Sequence, residues 1–246
     1  MVEKNLSSAF PHKSPEQLTK IKYRFYHNLA EVIVETLKAR TLSKKAFAER
    51  VKVLNPEVFE RYFDQGKSII AMASHQCNWE WVLLGCRAHF DQPMFPVYQP
   101  ITNAYFENLM RKIRSRFGGQ PIPMQQTLRE ILNNRDTPAA YGLVADQVPM
   151  HHSEKHWTQF LQQETAFYNG PAKIAQKMGY PAVYIKMNRT KRGYYQVELI
   201  DLGMPSNTNP PSETTEAYAR ALEHFLQANP ADWLWSHNRW KHKREG

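Results

Sequence analysis

Two short apolar runs dictate what this chain can fold into. Lys67 to Ser74 carries the unbroken stretch Ile69-Ile-Ala-Met-Ala73, and Ala139 to Ala145 is a second apolar run that ends at Asp146. Neither alternates between apolar and polar residues. A strand that is apolar on both sides belongs in the middle of a sheet covered on both faces, which is the signature of parallel pairing between layers of helix.

The segments around them alternate in type. Ser14-Pro15-Glu16-Gln17 has the make-up of a capping box, and Leu18, Ile21, Phe25, Leu29, Val32, Ile33 and Leu37 then recur at helical spacing to about Arg40. That pattern predicts a long amphipathic helix packed on the core, with an interfacial membrane role as the alternative. Asn55-Pro56 opens another helix and Gly66 closes it; Asn78 to about His89 is a helix, Met94 to Tyr98 a strand, and Thr102 to Phe117 a helix stopped by Gly118-Gly119. Thr127 to Asn133 reads as a short helix. Gln147 to Thr165 reads as a long loop. Asn169-Gly170-Pro171 starts a helix that Gly179 ends, Ala182 to Asn188 and Tyr194 to Asp201 form a hairpin, and Thr214 to Gln227 is the last helix. The sum is an α/β fold: a mixed, largely parallel sheet flanked by helices, with residues 1–66 as an N-terminal helical part and 67–246 as the α/β core.

Composition narrows the functional classes. Of 246 residues 42% are hydrophobic and 12% aromatic, which supports a packed core and argues against disorder. A formal charge of +9 favours anionic partners such as acidic lipid, an acidic protein or nucleic acid. Two cysteines, Cys77 and Cys86, make no disulfide framework. No run approaches the roughly 20 apolar residues that span a bilayer. There is no GxGxxG, P-loop or GxSxG motif, which weakens dinucleotide, nucleotide-hydrolase and α/β-hydrolase readings.

Candidate chemistry gathers at strand exits, where open α/β sheets bind their ligands. The first apolar run leads into Ser74-His75-Gln76-Cys77-Asn78-Trp79-Glu80. His75 followed five residues on by Glu80 reads either as a general base with its orienting carboxylate, or as a satisfied histidine beside a helix-start glutamate. The catalytic reading requires His75 in the loop and Glu80 in the first helical turn, beside free backbone N–H groups. Cys77 next to His75 raises a covalent alternative, ranked lower because a small buried cysteine is the commoner use. Asp146, ending the second run, either positions a ligand or caps a turn. Arg111-Lys-Ile-Arg114-Ser-Arg116 is a basic helix face, suited to phosphate or to solvent. His151, His152 and His156 lack a metal-ligand framework, so no metal is expected. The closing Trp233 to Arg244 segment interleaves aromatics and cations.

Taken in order, these pieces resemble a known family. Asn5-Leu-x-x-Ala-Phe-Pro11, His75-Gln-Cys-Asn-Trp-Glu80, Arg114-Ser-Arg-Phe-Gly118, Ala145-Asp-Gln147, Trp157-Thr-x-Phe160, Thr165-Ala-Phe, Gly170-Pro-Ala-Lys-Ile-Ala175 and Trp235-x-His-x-Arg-Trp-Lys241 are similar to the bacterial lipid A biosynthesis acyltransferases of the lauroyl/myristoyl type, related to the wider glycerolipid acyltransferases. The resemblance implies one acyltransferase domain. A fatty acyl thioester, on acyl carrier protein or CoA, would be the donor, and a hydroxyl of an anionic lipid A precursor the acceptor, with no further cofactor. By the same resemblance His75 is the base and Glu80 its partner; Arg114 and Arg116 bind phosphate or shape the site, and Asp146 is a third site residue. Acyl carrier protein, the anionic lipid and a membrane surface are the implied partners, and nucleic acid is not. Family members usually carry a hydrophobic helix ahead of the Asn-Leu-x-x-Ala-Phe-Pro segment, whereas Met1 stands four residues before Asn5 here. Either that anchor is removed from this sequence, or its start is misassigned, or this member attaches peripherally; the expected place is the cytoplasmic face of the inner membrane, peripheral in this chain. Transfer to a glycerolipid or aminolipid, and a non-enzymatic basic module binding membrane or nucleic acid, remain as alternatives.

Overall fold

A computed structural model of the chain describes residues 1–151, 153–206 and 208–244. In chain order the elements are α1 (Val2–Ala9), α2 (Pro15–Lys38), α3 (Lys44–Arg50), β1 (Val51–Val53), α4 (Glu57–Asp64), β2 (Ile69–Ala73), α5 (Trp79–His89), β3 (Met94–Tyr98), α6 (Ala104–Arg114), β4 (Ile122–Pro123), α7 (Thr127–Asn133), β5 (Ala140–Val144), β6 (Lys155–Phe160), β7 (Gln163–Tyr168), α8 (Gly170–Met178), β8 (Ala182–Lys191), β9 (Tyr194–Gly203) and α9 (Ser212–Ala228).

A seven-stranded sheet runs β1-β9-β8-β2-β5-β3-β4. Every neighbouring pair is parallel except the β8–β9 hairpin. The two unbroken apolar runs, β2 and β5, sit at its centre as neighbours, and all five residues of β2 are buried. Helices cover both faces. Gly85 lets α5 approach β1 closely, since a Cβ there would collide with Val51.

Ser14 caps α2 as its sequence predicts: its hydroxyl accepts from the Gln17 N–H, and the Gln17 side chain accepts from the Ser14 N–H. The burial of α2 differs from the amphipathic expectation. Phe25 and Val32 are buried and Leu18, Ile21 and Leu29 pack against the core, but Ile33 and Leu37 face outward at 58% and 51% exposure. The inward positions at that end belong to Glu31 and Glu35 instead.

Other departures have local causes. The stretch from Gln147 to Thr165 is not all loop, because β6 and β7 form a separate antiparallel hairpin. Its turn is Leu161-Gln162, both at positive φ (50° and 63°). A tight turn of this kind normally carries Gly or Asn, so the sequence lacks its usual marker. The first 66 residues are not wholly helical either, since Val51–Val53 adds an edge strand beside β9. The helix ending in α6 stops at Arg114, and Phe117 at φ 56° makes the bend.

The two ends of the chain meet. Buried Asn5 donates from Nδ2 to the carbonyls of Trp235 and His237, both at 2.8 Å. Asn5→Ala would leave those carbonyls without their donor, at a cost of about 1–3 kcal/mol. In a chain of this size that lowers Tm by roughly 2–10 °C in a thermal melt; an unchanged Tm would contradict the clamp.

Candidate active site

The sheet register brings the site together. Ala73 of β2 pairs with Val144 of β5, so two residues beyond each strand end His75 and Asp146 stand side by side. The His75 N–H donates to Asp146 Oδ2 (3.0 Å), and its Nδ1 lies 2.8 Å from Asp146 Oδ1. A carboxylate at Nδ1 fixes the tautomer with hydrogen on Nδ1 and leaves Nε2 free to accept. Gln147 Nε2 approaches that nitrogen at 3.3 Å, and Trp79 meets the imidazole edge-on.

Asp146 is 1% exposed and held by one further donor, the Trp233 indole N–H at 2.6 Å. Burial alone would raise the Asp146 pKa, but His75 and these donors outweigh it, so the carboxyl lies below its ordinary value. Burial likewise works against the imidazolium, but the Asp146 charge outweighs it with a smaller push from Glu80. The His75 pKa therefore lies above 6.5. A base in this pair is neutral only above that raised value, so base-dependent activity must fall as pH drops through it.

Glu80 lies in the first turn of α5, where the sequence puts it, but its partner is not His75. Arg114 of α6 grips it bidentately, Nε to Oε2 at 3.1 Å and Nη2 to Oε1 at 2.8 Å. The carboxylate within hydrogen-bond reach of His75 is Asp146. Loop geometry explains the exchange: the segment from Ser74 to Asn78 is anchored so that His75 looks toward β5. Gln76 donates to the Met187 carbonyl and accepts from Ser74 and Tyr184. Asn78 caps α5 by accepting from the Trp81 N–H (3.1 Å). The C-terminal segment closes beneath: Cys77 N–H donates to the Asp232 carbonyl, and Leu234 N–H to the His75 carbonyl.

Cys77 is not available as a nucleophile. It is buried, at φ 47°, its Sγ donates to the Met187 carbonyl, and burial pushes its thiol well above the ordinary value. Arg116 also lies elsewhere, with its guanidinium on the Ala39 carbonyl, lining a different cavity with Arg40 and Lys112. His156 pairs with Glu216 at 2.6 Å and His151 meets His242 edge-on, while His152 lies outside the described residues. Among the described residues no group of three or more His, Cys, Asp or Glu side chains is arranged to hold a metal.

His75, Glu80, Arg114 and Gln147 line one cavity of ≈ 690 Å³, within the roughly 300–1,000 Å³ range of small-molecule sites. Its inner wall is hydrocarbon: Phe59, Ala71, Cys86, Met94 and Ala140 are all buried. Ile101, Leu128 and Met150 line it where it reaches the surface. Sequence reading missed Trp233 and Gln147 as site residues, and Asp146 as the partner of His75. The Ala-Asp-Gln run at a strand end was the available signal.

The fold and site together define an α/β protein with a His–Asp pair at the carboxyl ends of its central strands, at the wall of a largely apolar cavity. The family model for bacterial lipid A biosynthesis acyltransferases matches residues 1–242, and the chain belongs to that family. It is an acyltransferase of lipid A biosynthesis. No curated protein matches the chain. No described helix is long and apolar enough to cross a membrane.

Proposed function

We propose that the chain transfers a fatty acyl group from an acyl thioester, carried on acyl carrier protein, to a hydroxyl of an anionic lipid A precursor, working from the cytoplasmic face of the inner membrane. The observation that carries this reading is the His75–Asp146 pair at the wall of a cavity whose inner end is hydrocarbon. The acyl chain lies along Phe59, Ala71 and Met94, and the thioester carbonyl faces His75 Nε2.

In the reaction Nε2 takes the proton of the acceptor hydroxyl, and Asp146 stabilises the imidazolium that forms. The hydroxyl oxygen bonds to the thioester carbonyl carbon, whose oxygen takes the negative charge. On collapse the C–S bond breaks, and the leaving thiolate takes its proton from Nε2–H. The products are an ester and a free thiol. The first N–H groups of α5, at Trp79 and Glu80, have no partner within the helix, and both residues line the cavity, so these donors are candidates for the developing oxyanion. Glu80 is a positioning residue in this scheme: it fixes Arg114, whose Nη1 has no hydrogen-bond partner among the described residues and remains for an acceptor phosphate.

Glu80→Gln is then expected to raise the KM for the lipid acceptor about ten- to hundredfold, the worth of one charge-assisted hydrogen bond, with a smaller change in kcat. A drop in kcat as large as that of a His75 variant, at unchanged KM, would return Glu80 to the role of orienting acid. The direct test of the reaction is an assay of the chain with acyl carrier protein thioesters and a lipid A precursor. Transfer to a glycerolipid or aminolipid acceptor instead would replace the acceptor assignment.

A further inference from the structure

The outer face of α2 is inverted relative to a helix that packs on a core in water. Inward, Glu31 pairs with Arg189 and with Arg192 (3.2 Å), and Glu35 accepts from Asn78 Nδ2 and the Tyr195 hydroxyl, both at 2.7 Å. Outward stand Tyr23 (68% exposed), Tyr26 (50%), Ile33 (58%), Val34 (58%) and Leu37 (51%). At about 100° per residue these five side chains fall within about 100° of arc, and from Tyr23 to Leu37 the stripe is about 21 Å long. Such a stripe is a contiguous apolar surface of the kind soluble monomers rarely leave in water.

Its borders are cationic. Between residues 20 and 40 the chain carries Lys20, Lys22, Arg24, Lys38 and Arg40, of which Lys22 is paired with Glu3 of α1, while its two carboxylates, Glu31 and Glu35, are the buried, paired ones. Past the end of α2 the face continues. A cavity of ≈ 390 Å³ lies between Arg40 and α6, lined by Arg40, Lys112, Arg116, Asn108 and Tyr105 among others, with no carboxylate in its wall. Neither Arg40 nor Lys112 has an ion-pair partner among the described residues. The carboxylate of α6, Glu107, turns away to the Tyr98 hydroxyl and the Ile101 N–H. Tyr105 (72% exposed) and Phe106 (53%) continue the apolar surface, and on the other side of α6 Arg114 and Ile101 already line the catalytic cavity.

We propose that this face, the outer stripe of α2 with the start of α6, is the surface on which the protein lies on an anionic lipid leaflet, with the Arg40–Lys112–Arg116 cavity receiving a lipid phosphate. Hydrocarbon at the centre and cations at the border is the arrangement of an interfacial helix. A second copy of the chain fits worse, because a symmetric contact would set the cationic borders of both copies against each other. Nucleic acid fits worse too, since it would leave Ile33, Val34 and Leu37 in water. Lys112 and Ile113 of α6 line the phosphate cavity and Arg114 of the same helix lines the catalytic one, so a leaflet held at this face lies near the catalytic cavity. The proposal rests on the reading of the chain as acting at a membrane surface and names the face that touches it.

Flotation of the purified chain with vesicles tests it without turnover, so its failure is separable from failure of the assigned reaction. With phosphatidylglycerol-containing vesicles the wild type is expected to float, and with pure phosphatidylcholine vesicles to float much less. Ile33→Glu/Leu37→Glu is expected to weaken binding to the anionic vesicles by about tenfold or more. Arg40→Ala/Lys112→Ala is expected to remove most of the difference between the two vesicle types. In a Val34→Trp variant the introduced indole shifts its emission to the blue when anionic vesicles are added. All of these positions are exposed, and a thermal melt verifies the fold of each variant. Equal flotation of wild type and Ile33→Glu/Leu37→Glu overturns the proposal. So does a wild-type dimer in vesicle-free solution that the same double variant turns into monomer. Inorganic phosphate is expected to weaken the preference for anionic vesicles more than chloride does at equal ionic strength, by competing for the same cavity; an unchanged preference in Arg40→Ala/Lys112→Ala overturns the phosphate assignment, because the cavity would then serve only a soluble anion.

Discussion

Replacing His75 by alanine is expected to lower kcat for acyl transfer by about 10²–10⁴-fold, the usual contribution of a positioned general base. The KM for the thioester donor should change little, because in the proposed reaction the imidazole meets the donor only at its reacting carbonyl while the hydrocarbon wall of the cavity is untouched. His75 makes its side-chain bonds to Asp146 and Gln147 and packs on Trp79, all local to the cavity. Its loop is held by other residues: Gln76 to Met187, Cys77 N–H to Asp232, Leu234 N–H to the His75 carbonyl. These persist in the alanine variant, so a near-native Tm should accompany the loss. A variant that folds and transfers acyl groups at the wild-type rate would remove His75 from the mechanism.

The second large effect belongs to Asp146. Asp146→Asn keeps the size of the side chain but loses the charge, and its amide can present an N–H to Nδ1 and so favour the wrong tautomer. A kcat loss of about 10²–10⁴-fold is expected. The pH profile separates this from a merely structural defect. In the wild type the Asp146 charge lifts the His75 pKa above 6.5, so the acid limb of kcat/KM lies above that value. Removing the charge lowers the His75 pKa, and the residual activity of the variant should persist to lower pH than the wild type. Glu80→Gln, whose carboxylate contributes less to the lift, should move the limb less. An acid limb that stays in place in Asp146→Asn, but moves in Glu80→Gln, would show that the two carboxylates had been assigned in reverse.

Much of the arrangement was legible from local chemistry. The apolar runs at Ile69–Ala73 and Ala140–Val144 named the central strands because only a strand covered on both faces tolerates that composition. The Ser14 capping box and the Gly179 stop named helix ends through groups that satisfy backbone N–H and C=O locally. The positions of His75 and Asp146 at strand exits followed from the same reading. Their contact with each other did not, because it depends on the β2–β5 register, a long-range property that no local spacing encodes. The H-x4-E spacing drew attention to Glu80 for the same reason. Five residues along a chain are visible in sequence, while Arg114 arriving from another helix is not. The β6–β7 hairpin was hidden because its turn uses Leu161 and Gln162 at positive φ, where a strained turn is carried by the strands and not by its own residues. The outward Ile33 and Leu37 show the limit of periodicity alone, which counts apolar residues on a helix without saying which medium they face.

The clamp between the chain's two ends bears on how the protein comes into being. Trp233 supplies a donor to Asp146, Leu234 N–H holds the His75 carbonyl, and Asn5 grips Trp235 and His237 across 230 and 232 positions. Trp233 to His237 emerge from the ribosome after every strand of the sheet has been made. Until they dock, His75 and Asp146 lack the supports that set their geometry. A chain shortened before Trp233 would keep every strand of the sheet and the strand ends that carry His75 and Asp146, but would lose the indole donor to Asp146 and the Leu234 donor to the His75 carbonyl. The geometry of the His–Asp pair thus depends on a segment far away in sequence, and not on the two strands alone.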